Sequence, residues 1–334
     1  MYTRREFIKL IFSTTILLDN KKRYLPPIEI GLGDDPEKIL KWDKNAGSTV
    51  LERISPSFLT AWLNAKDSRS SNIGDWLGWK ESGFLRELKS LGYNLHVITW
   101  EDSKLTDGRY HISPKFKKDI KEITQIARSE GILSPLFSLA TEFTTYVEPW
   151  DTYNERTKPY YKEFIKNISS VTEEIKSILP RSRVSISWGG WIATFDDPVR
   201  VSGKSMIPYF GELMRRMDFV SFQSMVEYKT GELPNNETPL NVSGNPEQII
   251  LCLKTFRKWK KHLMVSHFAP HNKRADVLAD DLWRMSGTKW QRLARELGLF
   301  ALSHMWYDLF KENNFGCLDA AENFTGISYA EMMV

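Results

Sequence analysis

The run Pro114–Trp150, PKFKKDIKEITQIARSEGILSPLFSLATEFTTYVEPW, decides the fold of this chain. Phe116, Ile120, Ile123 and Ala127 fall on one helical face, which predicts a helix over Pro114–Glu130 that Gly131 ends. After a short link, the apolar run Leu136–Thr141 reads as a buried strand. That strand stops on a carboxylate, Glu142, and an aromatic, hydroxyl-rich loop follows, closing on Pro149 and Trp150. An amphipathic helix that feeds a buried strand is one unit of a helix–strand repeat, and here the strand delivers an acid to its own end. The plainer reading is a strand whose terminal Glu meets solvent, and this segment alone accommodates both.

The same alternation runs outward in both directions. Strands are predicted at Ile28–Gly31, Ser57–Leu63, Asn94–Trp100, Leu136–Thr141, Arg183–Trp188, Phe219–Met225, His262–His267 and Leu299–Trp306. Helices fit between them at Pro36–Lys44, Trp76–Leu91, Pro114–Glu130, Lys158–Leu179, Ile207–Arg216, Pro246–Lys260 and Leu278–Leu297. Eight strands with helical crossovers predict an α/β protein, a (β/α)₈ TIM barrel forming a single domain over 28–334. An open doubly wound sheet would carry a glycine-rich phosphate loop after its first strand. GLGDDP, Gly31–Pro36, is a lone Gly-x-Gly, and Asp34 and Asp35 would repel a pyrophosphate. Glu227–Asn245, rich in Asn, Pro and Gly, reads as a loop after strand six.

A chain of 334 residues with 41% apolar side chains can bury a large core. Its formal charge of +4 is small and its basic residues are scattered, so the charge pattern gives no footprint for nucleic acid. Aromatics are abundant, with 12 Trp, 12 Tyr and 18 Phe. Most belong to a core, yet tryptophans at strand ends also supply flat faces for sugar rings. Two cysteines, Cys252 and Cys317, form no metal or redox pair, and Cys252 within IILCLKTF reads as a buried free thiol.

The segment 1–27 carries a separate signal. TRREFIK, Thr3–Lys9, is similar to a twin-arginine export pattern, with Arg4 and Arg5 followed by the apolar run Leu10–Leu18. That run is too short for a stable membrane span. It lacks a small-residue cleavage site, and a basic amphipathic first helix is the plainer reading. Export would place the protein in the periplasm or outside the cell and make the twin-arginine machinery a partner; without it the protein is cytoplasmic.

Barrel strands aim their C-terminal residues into one bowl. Strand three ends in Trp100-Glu101, strand four in Glu142, and strand five in Trp188-Gly189-Gly190-Trp191 with Asp196 and Asp197 beyond. Strand six ends in Gln223 and then Glu227-Tyr228, strand seven in Ser266-His267, and strand eight in His304, Trp306 and Asp308. Carboxylates and tryptophans recur at one level, a pattern suited to glycoside hydrolysis, which needs a proton donor and a second carboxylate across the scissile bond. Trp100, Trp188, Trp191 and Trp306 are the candidate platforms, whereas Trp42, Trp76, Trp79 and Trp259 in helical segments read as core. Asp196 and Asp197, before Pro198, read as a turn or cap. His267 and His304 form a conceivable metal pair, but no third ligand stands at a diagnostic spacing, so neither metal nor cofactor is expected.

TEFTTYVEPW, Thr141–Trp150, resembles the strand-four motif H-E-M-N-G-x-W-Y-P-W of glycoside hydrolase family 26, a group of β-mannanases and β-xylanases. Thr99-Trp100-Glu101 is similar to the I-T-W-E-P of strand three in that group. The resemblance implies a retaining-type barrel acting on a β-linked polysaccharide or oligosaccharide. It sets Glu142 on the general acid/base and Pro149 and Trp150 on the closing pair. Tyr146, Trp150, Gln223 and Tyr228 join the platforms and His304 as expected sugar contacts. The chain also departs from the motif. Thr141 stands for the family His and Thr144 for its Asn, while strand seven presents Ser266 and His267 in place of the nucleophilic Glu. Four outcomes stay open: Glu227 or Glu101 replaces the lost carboxylate; the enzyme inverts with a water activated by one of these groups, His267 being a candidate base; the barrel binds saccharide without cleaving it; or it is a barrel enzyme of another class, a lyase or a metal-dependent hydrolase using His267 and His304.

Overall fold

A computed structural model of the chain describes residues 25–33, 35–45, 47, 49–64, 72–101, 112–196, 205–226, 244–270 and 273–326. Eight strands close into an all-parallel barrel: β1 Glu29–Leu32, β2 Phe58–Asn64, β3 Asn94–Trp100, β4 Leu136–Leu139, β5 Arg183–Trp188, β6 Val220–Ser224, β7 Leu263–Phe268 and β8 Leu299–His304. β8 pairs with β1 through Leu302↔Ile30 and His304↔Leu32, so the ring has no open edge. The eight predicted strands are the eight observed, and the barrel is the predicted (β/α)₈ fold.

Helices cover the outside because each carries one apolar stripe. Pro114–Ser129 buries Phe116, Ile120, Ile123 and Ala127, and each of the larger three contributes about 2 kcal/mol by leaving water. Ser113 caps this helix by accepting the Phe116 amide at 3.0 Å, and Gly131 ends it at φ 75°, a conformation that disfavours a side chain. Two predicted helices are each two. Gly83 at φ 77° separates Ile73–Glu81 from Phe84–Ser90, and a turn at Gly287 separates Ala275–Met285 from Thr288–Glu296. Short helices at Thr49–Ile54, Ile192–Phe195, Tyr307–Lys311 and Cys317–Gly326 were not predicted; all but the last have six residues or fewer, too few for periodicity to register. Among the described residues no helix is long and apolar enough to cross a membrane. The 1–24 segment and residues 227–243, which include Glu227 and Tyr228, lie outside the described residues.

The barrel interior is layered. Phe58, Leu136, Phe219, Met264 and Ala301 meet in a small cluster of their own, and since β2, β4 and β7 are not neighbours they touch across the lumen. Above them the filling turns polar. Thr60 Oγ1 lies 2.6 Å from Ser303 Oγ and 3.1 Å from His96 Nδ1, and His96 Nε2 lies 2.8 Å from Ser138 Oγ. Burial, with a smaller push from His267, lowers the His96 pKa from 6.5 to about 3, so this imidazole is neutral. Every group of the layer has a partner, as a dry interior requires.

Candidate active site

The end of β4 is bent on purpose. Ala140 has φ 50° and Glu142 has φ 57°, left-handed conformations that cost a non-glycine residue about 1–3 kcal/mol each. Thr99 of β3 holds the bend: its Oγ1 accepts the Ala140 amide and its carbonyl accepts the Thr141 amide, both at 2.8 Å. The Thr145 amide and hydroxyl both donate to the Glu142 carbonyl, at 2.8 and 2.9 Å. Strand β4 therefore stops at Leu139, two residues earlier than predicted, and the bend turns the Glu142 side chain across the barrel mouth.

There it meets β6. Gln223 Nε2 donates to Glu142 Oε1 at 2.9 Å. Gln223 is the register partner of His267 on β7, across an irregularity between Phe222 and Gln223, and its Oε1 makes a very short contact with His267 Nε2. His267 Nδ1 is 3.1 Å from Ser266 Oγ, which is 2.8 Å from Ser187 Oγ on β5. Thr141 Oγ1 donates to Ser187 Oγ at 3.4 Å and closes the circuit one residue from Glu142. Burial drives the His267 pKa from 6.5 to about 3, so this imidazole is neutral. A neutral, hydrogen-bonded ring stands where the resemblance sets a nucleophilic carboxylate.

Glu101, at the end of β3, is fully buried and receives the Ser113 amide at 2.9 Å and the Ser113 hydroxyl at 2.8 Å on Oε2. Its backbone N–H donates to Tyr146 Oη at 3.1 Å. The Tyr146 phenol is pushed well up by burial and, less, by the charges of Tyr160, Glu101 and Glu142, and it stays neutral. Tyr146 thus sits beside both carboxylates as a buried post rather than an open face.

The aromatic candidates divide by strand parity. Ser187 faces the lumen, so the next residue, Trp188, faces outward. It is fully buried against Phe143, Phe210 and Trp259 and offers no surface to a sugar, contrary to the expectation for it. His304 fails for the same reason. Ser303 faces the lumen, and the His304 ring is buried among Phe268, Phe310 and Phe324 with both nitrogens unpartnered. His267 and His304 therefore point to opposite sides of the sheet and cannot share a metal. Among the described residues no group of three or more His, Cys, Asp or Glu side chains is placed to hold one.

Trp150 is 60% exposed, and Trp191 is partly buried, with its Nε1 donating to Asp151 Oδ2 at 3.0 Å. The Trp191 ring folds over Gly189, where an added Cβ would fall 2.5 Å from it. Trp100 at the end of β3 and Trp306 beyond β8 are partly buried, and Lys273 Nζ lies 5.3 Å from the Trp306 ring centre. Trp62 was not foreseen: its ring meets His267 edge-on at 5.3 Å, inside the mouth. Trp62 shares parity with Thr60, but FLTAWLN is buried on both faces and does not show that this parity faces the lumen. Of the helical tryptophans, Trp76 and Trp79 are core, but Trp42 is 39% exposed and stacks on Tyr307. Asp196 ends the short Ile192–Phe195 helix, as a turn residue would.

Fold and site together define a (β/α)₈ barrel with a carboxylate held across its mouth from the end of strand four. No protein-family model and no curated protein matches the chain. Solved structures do share its fold. A structure from a study of two fungal β-1,4-galactanases superposes at TM-score 0.57 with 12% identity, covering 90% of this chain and all of the other. A psychrophilic glycoside hydrolase family 10 endo-β-1,4-xylanase gives 0.52 with 12% identity, covering 89% and 96%. A modular endo-β-1,4-mannanase of family 26 from Cellulomonas fimi gives 0.52 with 10% identity, covering 90% and 70%. At these identities the likeness establishes the barrel, and it does not single out family 26.

Proposed function

We propose that the chain is a glycoside hydrolase acting on a β-linked polysaccharide, such as mannan or a related hemicellulose, with Glu142 as general acid/base. The observation that carries this reading is the bent exit of β4, which places the Glu142 carboxyl across the barrel mouth and docks it on Gln223. Support also comes from barrels of the same fold that are β-1,4-galactanases, an endo-β-1,4-xylanase and an endo-β-1,4-mannanase. In the reaction, Glu142 protonates the departing glycosidic oxygen and later takes a proton from the incoming water. The Ser113 bonds on Glu101 favour Glu227 as the second carboxylate. Trp62, Trp100, Trp150 and Trp191 would then carry sugar rings. Export through the twin-arginine route, motivated by Arg4 and Arg5, belongs to the same proposal and is checked by whether residues 1–27 export a fused reporter.

The test is reducing-sugar release from a panel of β-glycans. Wild type is expected to be active and Glu142→Gln to lose about 10²–10⁴-fold, the range of a general acid. An active wild type whose activity survives Glu142→Gln would sink the assignment. A second reading is a barrel that binds saccharide without cleaving it, favoured by the neutral His267 on strand seven. It predicts glycan binding with no turnover.

A further inference from the structure

Resting on Glu142 as the acid/base, we infer that His267 is a positioning residue: through the Gln223 amide it fixes which oxygen of Glu142 carries the transferred proton. The inference follows from counting donors around the mouth. Gln223 Nε2 donates to Glu142 Oε1, so the other end of that amide, Oε1, is an acceptor and requires a proton on His267 Nε2. A neutral imidazole with Nε2–H has a bare Nδ1, and the Ser266 hydroxyl, 3.1 Å away, has its one proton to share between that nitrogen and the Phe222 carbonyl oxygen, also at 3.1 Å. Ser187 then supplies Ser266, and Thr141 supplies Ser187. The Gln223 amide fixes the direction of the last two bonds, from His267 Nε2 to Gln223 Oε1 and from Gln223 Nε2 to Glu142 Oε1. With Oε1 fixed as the acceptor, the proton of the acid form resides on Oε2.

The surroundings hold this polarity. The His267 ring is packed edge-on against Trp62 and lies near a second neutral imidazole, His96. Glu142 is faced by Gln223, and Tyr146 lies near both Glu142 and Glu101. Gly190, two residues beyond β5, lies so close to β6 that a Cβ added there would be 2.3 Å from the Gln223 carbonyl oxygen. A base on strand seven would need a ring open to water and titrating near neutrality; His267 is 2% exposed.

Two measurements test this. In protein labelled with nitrogen-15 at histidine, His267 is expected as the neutral Nε2–H tautomer at pH 7. The Nδ1–H tautomer or an imidazolium overturns the inference, and this result needs no variant to fold. In protein labelled with carbon-13 at the glutamate carboxyls, the Glu142 signal is assigned by its loss in Glu142→Gln. His267→Leu and Gln223→Met are each expected to raise the Glu142 pKa by about one unit, the effect of losing one donor to a carboxylate. His267→Gln, which restores an amide donor near the Nε2 position, is expected to titrate like wild type. In kinetics, His267→Leu moves the alkaline limb of the pH–rate profile up by the same amount while KM holds. A folded His267→Leu variant whose Glu142 titrates as in wild type refutes the positioning role. Failure of the hydrolase reading looks different: wild type releases no sugar, whatever the titrations give.

Discussion

Gly190→Ala separates a site built by backbone proximity from one built by side chains alone. A Cβ at position 190 would lie 2.3 Å from the Gln223 carbonyl oxygen and 2.8 Å from Gln248 Oε1. Gln248 can swing aside at the expense of the bond it accepts from Ser224 Oγ, but the carbonyl belongs to β6 and can only move with it. Restoring ordinary van der Waals contact requires about 1 Å of separation between the turn that follows β5 and the end of β6. A hydrogen bond of 2.9 Å does not survive such a displacement, so Gln223 loses Glu142. Overpacking of this kind destabilises by about 1–3 kcal/mol. Urea denaturation gives the stability, and carbon-13 titration of Glu142 gives the consequence for the site, with a rise of about one unit expected. Gly78→Ala is the control: nothing lies within 4 Å of its added Cβ inside the Ile73–Glu81 helix. It should stabilise by about 0.5–1 kcal/mol. A Gly190→Ala variant with wild-type stability and an unmoved Glu142 would refute the close-approach reasoning.

Two further predictions concern pH. Burial holds His304 neutral, its pKa lowered from 6.5 to about 3, so the stability it favours is complete above pH 6.5 and is lost as pH falls toward 3. His304→Phe, among three phenylalanines, should flatten the acid side of the stability profile by about 1.4 kcal/mol per pH unit, and an unchanged slope between pH 6 and pH 4 in urea titrations would count against it. Asp281 has the opposite sign: burial outweighs Asn245 and Arg284 and raises its pKa from 3.8 to about 8. Its stabilising contribution is complete below pH 3.8 and is lost as pH rises through 8, so Asp281→Asn should gain up to about 5 kcal/mol over wild type at pH 9. Urea titrations should show little difference between the two proteins at pH 4, where Asp281 is about half protonated even in the unfolded chain.

The eight strands were legible because each is a short buried run between turn residues, and helices such as Pro114–Ser129 because one face repeats every three or four positions. Glu142 was legible as the acid at the end of the fourth strand. Hidden from the sequence was which face of each strand looks into the barrel. A strand covered by helices outside and by a packed lumen inside is buried on both faces, so ISW and LSH show no alternation from which to choose. Trp188 and His304 face outward and Trp62 faces the lumen, and the sequence displays neither orientation.

Periodicity and local turn chemistry encode the order of elements and the residue types at the strand ends, so both can be read from the chain alone. The meetings of Glu142 with Gln223, of Gln223 with His267 and of Thr141 with Ser187 are properties of the closed barrel. Those contacts join residues 44–81 positions apart, and they depend on ring closure, a register shift between β6 and β7 and a left-handed turn at Glu142. Such contacts are set by how the whole barrel closes, and no local pattern of side chains carries that information.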